Sequence, residues 1–137
     1  MEYDRWYYYS YVKISGEVSI WIDGVKDSAA GIGVTSGNSG PLYIGGDPWY
    51  NSLTNVGYDN FQFHMKALSE TEIKTVASGA ILYNEALVIA YDFGSIVDNI
   101  VKDISGYGND GTIVGYPTFP EGGAPEGKYQ LDLPGAG

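Results

Sequence analysis

Residues 17–24 read EVSIWIDG, and this octet constrains the chain more than any other stretch. Val18, Ile20 and Ile22 alternate with Glu17, Ser19, Trp21 and Asp23, the period-two pattern of a strand with one apolar face. Asp23-Gly24 follows at once, the dipeptide that suits a two-residue hairpin whose central positions both need positive φ. Val25 and Lys26 begin the return strand. Upstream, Trp6 to Lys13 is almost wholly aromatic or β-branched, which predicts a strand covered on both faces, and Ser15-Gly16 is the turn into the octet. The composition extends this reading to the whole chain. Its 137 residues include 20 Gly and 13 Tyr, one residue suited to tight turns and the other to strands with a wet edge.

Further along, Leu42 to Ile44 reads as a short strand between loops, and Tyr58 to Met65 as another. In that strand Tyr58, Asn60, Gln62 and His64 share one face, and Asp59, Phe61, Phe63 and Met65 the other. Ser69 with Glu72 three residues on is a capping box, predicting one short helix over 70–77 that Ser78-Gly79 stops. Ala86 to Phe93 is a strand, followed by loops through 94–111. Thr112 to Val114 and Tyr129 to Leu133 are the last strands, and the closing PGAG reads as a turn with no strand after it. Many short strands with one helix predict a single all-β sandwich domain.

Several function classes are disfavoured by composition. A net charge of −10 with only seven scattered Lys and Arg leaves no basic stripe for nucleic acid. The absence of cysteine removes disulfides, thiolate metal sites and cysteine nucleophiles, and a single histidine argues against zinc. No apolar run approaches the roughly 20 residues of a membrane helix, so membrane insertion is not expected. Glu2, Asp4 and Arg5 directly after Met1 do not resemble a signal peptide.

Two stretches resemble laminin-G-like and pentraxin-like modules of the concanavalin A-like lectin/glucanase superfamily. "WYYYSYVKISGEVSIWIDGVKDS", "PLYIGG" and "GYDNFQFHMKALSETEI" are similar to the back half of such modules, and "LVIAYDFGS", "VKDISGYGNDGTIVG" and "GKYQLDLPGAG" to the front half. The resemblance implies a concanavalin A-like antiparallel β-sandwich of jelly-roll type with its halves in permuted order. Residues 1–79 form the back half, 80–85 the connector and 86–137 the front half; the family's middle strands are not recognisable. Three arrangements fit: a circular permutant closed on itself, a piece of a tandem array, or halves shared between neighbouring chains. Termini that lie close together make the first easy. Exposed strand edges favour the third.

Glycoside hydrolysis needs two carboxyl groups about 5–9.5 Å apart. Glu17 and Asp23, the best pair on one strand face, have backbones about 20 Å apart, so no enzyme is expected. His64 has no nucleophile signature near it. Structural calcium is the better candidate: the resemblance places Asp92 and Asp59 at the site, with a carbonyl from the Gly108–Asn109 turn completing the shell. The alternative is that both aspartates accept backbone hydrogen bonds at strand ends. Asp103 and Asp110 read as turn formers before cation ligands. For sugar stacking the candidate platforms are Trp21, facing away from Val18, Ile20 and Ile22, and Trp49 and Tyr50 in a loop. Tyr7, Tyr9 and Tyr11 share a strand face and are expected in packing.

The expected function is a non-catalytic structural or adhesive module, extracellular or on a cell surface, whose partners are copies of itself or neighbouring modules. The alternative is a carbohydrate-binding module using its exposed aromatics.

Overall fold

The computed structural model describes residues 5–31, 40–45, 57–115, 117–118 and 131–132. Among them lie ten strands, paired antiparallel throughout, and one helix. Strands β1 (Tyr9–Ile14), β2 (Glu17–Ile22) and β3 (Val25–Gly31) form a three-stranded sheet in chain order. Asp23 and Gly24 take φ of 52° and 81°, the left-handed pair that an Asp-Gly hairpin turn supplies. The Asp23 carboxylate also reaches back, accepting from the Tyr8 N–H at 3.0 Å and from Arg5 Nη2 at 3.1 Å.

In β1–β2 the register pairs Val12 with Ser19 and Tyr11 with Ile20. Cross-strand partners share a face, so Ser10, Val12, Ser19 and Trp21 point one way and Tyr9, Tyr11, Val18, Ile20 and Ile22 the other. Val12, Val18 and Ser19 are buried, but Tyr9 is 57% and Tyr11 66% exposed. The expectation that both faces of the first strand are covered is therefore corrected: among the described residues it is an edge strand, with Tyr9 and Tyr11 exposed although Val18 on the same face is buried. Strand β3 is exposed along its whole length, and a bulge between Ile20 and Trp21 shifts its register.

Helix α1 (Glu70–Ala77) matches its predicted span. Ser69 Oγ accepts the Glu72 N–H at 3.2 Å while Glu72 Oε1 accepts the Ser69 N–H at 3.0 Å. The two groups of a capping box satisfy each other's orphan donors. Ile73 anchors the helix with 1% exposure, a burial worth about 1.5–3 kcal/mol.

The remaining strands join the two halves of the chain. Strand β4 (Gly57–Tyr58) pairs with β10 (Leu131–Asp132), and β5 (Phe61–His64) with β6 (Leu87–Tyr91). Strands β7 (Ile96–Val97), β8 (Ile100–Val101) and β9 (Gly111–Thr112) make a small sheet. One buried cluster of Tyr91, Phe93 and Val101 gathers Ile44, Tyr58, Phe61, Ile89, Ile96 and Ile113 around it. Phe61 stacks on its register partner Tyr91 at 5.9 Å between centroids. Residues 57–64 and 87–113 thus share a core.

Three other expectations change. The continuous strand over Tyr58 to Met65 is two strands, because Asn60 takes φ 48° and breaks the alternation. Tyr58 and Phe61 consequently pack on the same core, while Phe63 is 39% exposed. Residues 40–45 hold no strand, although Ile44 reaches the core. The segment read as loop after Phe93 contains the β7–β8 hairpin, turned by Asp98 and Asn99 at φ 51° and 64°.

Candidate functional site

Among the described residues of the front half, Asp103 is the most highly bonded side chain. Its Oδ1 accepts the N–H of Ala90 at 2.8 Å and of Ser105 at 2.9 Å, and its Oδ2 accepts Ser105 Oγ at 2.7 Å and the Asn109 N–H at 2.8 Å. Burial pushes this carboxyl's pKa up, yet the donors from Ala90, Ser105 and Asn109 outweigh it and hold the group below its usual value. The loop it organises lies along the outer edge of β6. Ile104 N–H donates to Ala90 O at 2.9 Å, and Ser105 Oγ and Asn109 Nδ2 both donate to Val88 O, at 3.1 and 2.7 Å. Tyr91 Oη donates to Asn109 O at 2.6 Å. Asp110 accepts the Asp103 N–H at 2.9 Å and Lys102 Nζ at 2.7 Å, the two contacts that lower its pKa, in that order. Sequence reading treated Asp103 and Asp110 as turn formers; the long-range bond from Ala90 to Asp103 had no signal in the local pattern.

Of the positions expected to hold calcium, each aspartate accepts a backbone N–H close to it in sequence. Asp59 and Asp92 both lie at one end of the β5–β6 pair, where Asp59 Oδ1 accepts the Asn60 N–H at 2.7 Å and Asp92 Oδ1 the Gly94 N–H at 3.0 Å. The Gly108–Asn109 turn lies along β6, with Asn109 Nδ2 on Val88 O and Asn109 O accepting the Tyr91 hydroxyl. Among the described residues no three His, Asp or Glu gather as a metal-binding group.

Trp21 is half-buried, and its indole N–H donates to Ser19 Oγ at 2.9 Å, on the face away from Ile20 and Ile22. Trp49 and Tyr50 lie outside the described residues. The exposed aromatics of the first sheet are Tyr9 and Tyr11. The one carboxylate pair weighed for hydrolysis is engaged elsewhere: Glu17 holds Lys26 at 3.5 Å, and Asp23 holds Arg5 and Tyr8. An open depression of about 460 Å³ is lined by Val97, Asp98, Ile100, Lys102 and Asp110. Its lysine is already paired with Asp110, so the walls offer no convergent polar set for a ligand.

A second polar cluster holds the connector. Gln62 Nε2 donates to Ala80 O at 3.0 Å, and Gln62 Oε1 accepts the Leu82 N–H at 3.1 Å and faces His64 Nε2 at 3.2 Å. Asn84 Oδ1 accepts the N–H groups of Ala86 and Leu87 at 2.9 and 3.0 Å. The start of the connector is thereby clasped to β5 by Gln62, while Asn84 within it turns the chain into β6.

Small antiparallel sheets, one capped helix and a loop sealing a strand edge define an all-β protein of sandwich type, not closed into a barrel. The chain belongs to the concanavalin A-like lectin/glucanases superfamily: its laminin G family model matches residues 1–74, rather more than half of the chain. No curated protein and no solved structure matches it. No helix among the described residues is long and apolar enough to cross a membrane.

Proposed function

We propose that this chain is a non-catalytic structural or adhesive module, working outside the cell or on its surface by packing against copies of itself or neighbouring modules. The carrying observation is the tyrosine face of the first sheet. Tyr9, Tyr11 and Val25 are 57%, 66% and 67% exposed, beside the half-buried Ile20 and Ile22. A contiguous apolar face of this kind marks an interaction surface. The permuted arrangement closes within one chain on this reading, supported by the β5–β6 and β4–β10 pairs and by the Gln62 clasp on the connector. Light scattering across a concentration series tests the function: mass must rise above that of one chain, and a monomer at every concentration refutes self-association.

Exposed tyrosines two residues apart on one strand face also favour a second reading, carbohydrate binding, with Tyr9 and Tyr11 joining Trp49 and Tyr50 as platforms. Trp21 then serves as a wall of the sheet, since its N–H is engaged. Glycan binding lost in Tyr11→Ala would support this reading. Calcium, where bound, is held by Asp59 and Asp92, with backbone carbonyls and water completing the shell.

A further inference from the structure

The chain's single histidine, His64, sits where the connector enters the front half. Its register partner across β5–β6 is Leu87, and the next residue, Met65, donates its N–H to Ala86 O at 2.8 Å. We infer that His64 and Asn84 form an acid-sensitive latch at this junction: a proton taken up by the ring turns the Asn84 amide and releases the turn that leads into β6.

The proton positions follow from backbone groups, whose donor and acceptor roles are fixed. Ala80 O only accepts, so it takes an N–H from Gln62, and Leu82 N–H only donates, so it takes Gln62 Oε1. The same oxygen faces His64 Nε2 at 3.2 Å, and an amide oxygen requires a donor there. Neutral His64 therefore carries its proton on Nε2 and leaves Nδ1 as an acceptor. Asn84 is oriented in the same way. The N–H groups of Ala86 and Leu87, at 2.9 and 3.0 Å, hold its Oδ1 and leave its NH₂ free to face elsewhere.

Two atoms of this junction are buried without a hydrogen-bond partner: His64 Nδ1, an acceptor, and Asn84 Nδ2, a donor. Asn84 nonetheless acts on the ring, so the two side chains are neighbours whose contact stops short of full hydrogen-bond geometry. That pairing suits a neutral ring. A proton on Nδ1 reverses it, setting a donor against an amide NH₂ where burial already disfavours charge. Asn84 stabilises the charged ring only by turning Oδ1 toward it, and that oxygen is the one holding Ala86 and Leu87. Neighbouring charge offsets little. Glu72 of α1 and Lys66 after β5 act on the ring in opposite directions and pair with each other at 3.2 Å. From segment 80–87 the neutral Asn84 faces the ring, and Glu85 is exposed.

The release is local. Leu87 N–H also reaches Asn84 O at 3.2 Å, so the loss falls first on Ala86 N–H. The Gln62 clasp survives, because a charged ring still donates from Nε2 to Oε1. Acid thus loosens the turn into β6 and leaves the start of the connector in place.

Nitrogen-15 NMR on the whole chain tests the latch, with one imidazole to follow. The expected result is the Nε2–H tautomer at about pH 8. Amide exchange at Ala86, corrected for intrinsic rates, should rise about threefold or more as pH falls from about 8 to about 5, because the opened turn takes up the proton first. Exchange at Leu82 should stay constant. Asn84→Asp supplies one acceptor oxygen for the backbone and another for Nδ1–H, so it should raise the pKa of His64 and remove the pH dependence at Ala86. A neutral ring protonated on Nδ1, Ala86 exchange indifferent to pH, an equal rise at Leu82, or a His64 titration unmoved by Asn84→Asp each overturns the latch.

Discussion

Asp103 Oδ1 accepts the backbone N–H of Ala90 across thirteen residues of sequence at 2.8 Å, so a side chain does for β6 what a neighbouring strand does elsewhere in a sheet. Three further donors converge on the same carboxylate from Ser105 and Asn109. Hydrogen bonds to a charged acceptor contribute about 1.5–3 kcal/mol each, and donors left without one are penalised. Asp103→Ala is therefore expected to lower stability by about 2–4 kcal/mol, read from the urea midpoint. Asp103→Asn keeps one acceptor oxygen but turns an NH₂ toward N–H donors, and recovers less than half of the loss. Amide exchange at Ala90 accelerates in both. An unchanged midpoint in Asp103→Ala would show that the loop is held by its turns alone.

Acid should weaken the fold in two separate steps. Burial lowers the pKa of His64, and the Asn84 hydrogen bond and Glu72 charge only partly restore it. The unfolded chain then binds a proton near 6.5 that the folded one resists, so stability is complete above that pH and falls as pH drops toward the folded value. Asp103 adds a second loss: its folded pKa lies below the ordinary 3.8, so its contribution is present above that value and disappears as pH falls through the folded one. A plot of Tm against pH from 8 to 3 should show both slopes, and His64→Gln should flatten only the upper one. An upper slope that persists in His64→Gln would assign it to another group.

Gly24 faces two demands at once. Its φ is 81°, and a Cβ there would lie 3.2 Å from Lys74 Cγ and 3.4 Å from Ala77 Cβ, where α1 passes the hairpin turn. Left-handed backbone costs an L-residue about 1–2 kcal/mol. Gly106 has φ 98° and nothing within 4 Å of its own would-be Cβ, so Gly106→Ala reads strain alone. Thermal melts should place Gly24→Ala below Gly106→Ala; equal losses would mean that the Lys74 side chain simply moves aside.

Local chemistry explains which parts of this fold were legible. Asp23-Gly24 and the Ser69–Glu72 box act within four residues, and both formed as read. The strand over Tyr58 to Met65 failed at Asn60, because one left-handed residue inverts every face beyond it and nothing in an alternating string marks where that happens. Asp98-Asn99 did carry a turn signal, overlooked because its flanking strands are two residues each. The exposure of Tyr9 and Tyr11 was invisible for another reason: an aromatic strand looks the same whether its partner layer is intramolecular or absent. Asp103 was seen as a turn residue, while its bond to Ala90 depends on where β6 is placed.

Calcium makes a distinct demand on Asp59 and Asp92. Ligand that binds only the folded state raises stability by mass action, about 2.7 kcal/mol at a hundredfold excess over Kd. Millimolar calcium added to chelator-treated protein should raise Tm, and Asp92→Asn should abolish the rise, while Asn109→Ala leaves it in place because that turn sits along β6 at Val88. No shift with calcium would remove the metal from the account of this fold.

Tyr91 joins the core to the loop that seals β6. Its ring stacks on Phe61 and its hydroxyl donates to Asn109 O at 2.6 Å, so Tyr91→Phe keeps the packing and loses the bond, for about 1 kcal/mol. Burial raises its pKa, and the charges of Asp103 and Asp110 raise it further. The unfolded chain therefore loses this proton first: stability from Tyr91 is complete below pH 10 and declines as pH climbs through the folded value. Chemical denaturation at pH 7 and pH 11 separates the two effects. Wild type should lose more stability between those conditions than Tyr91→Phe does, and equal losses would show that the alkaline sensitivity does not come from Tyr91.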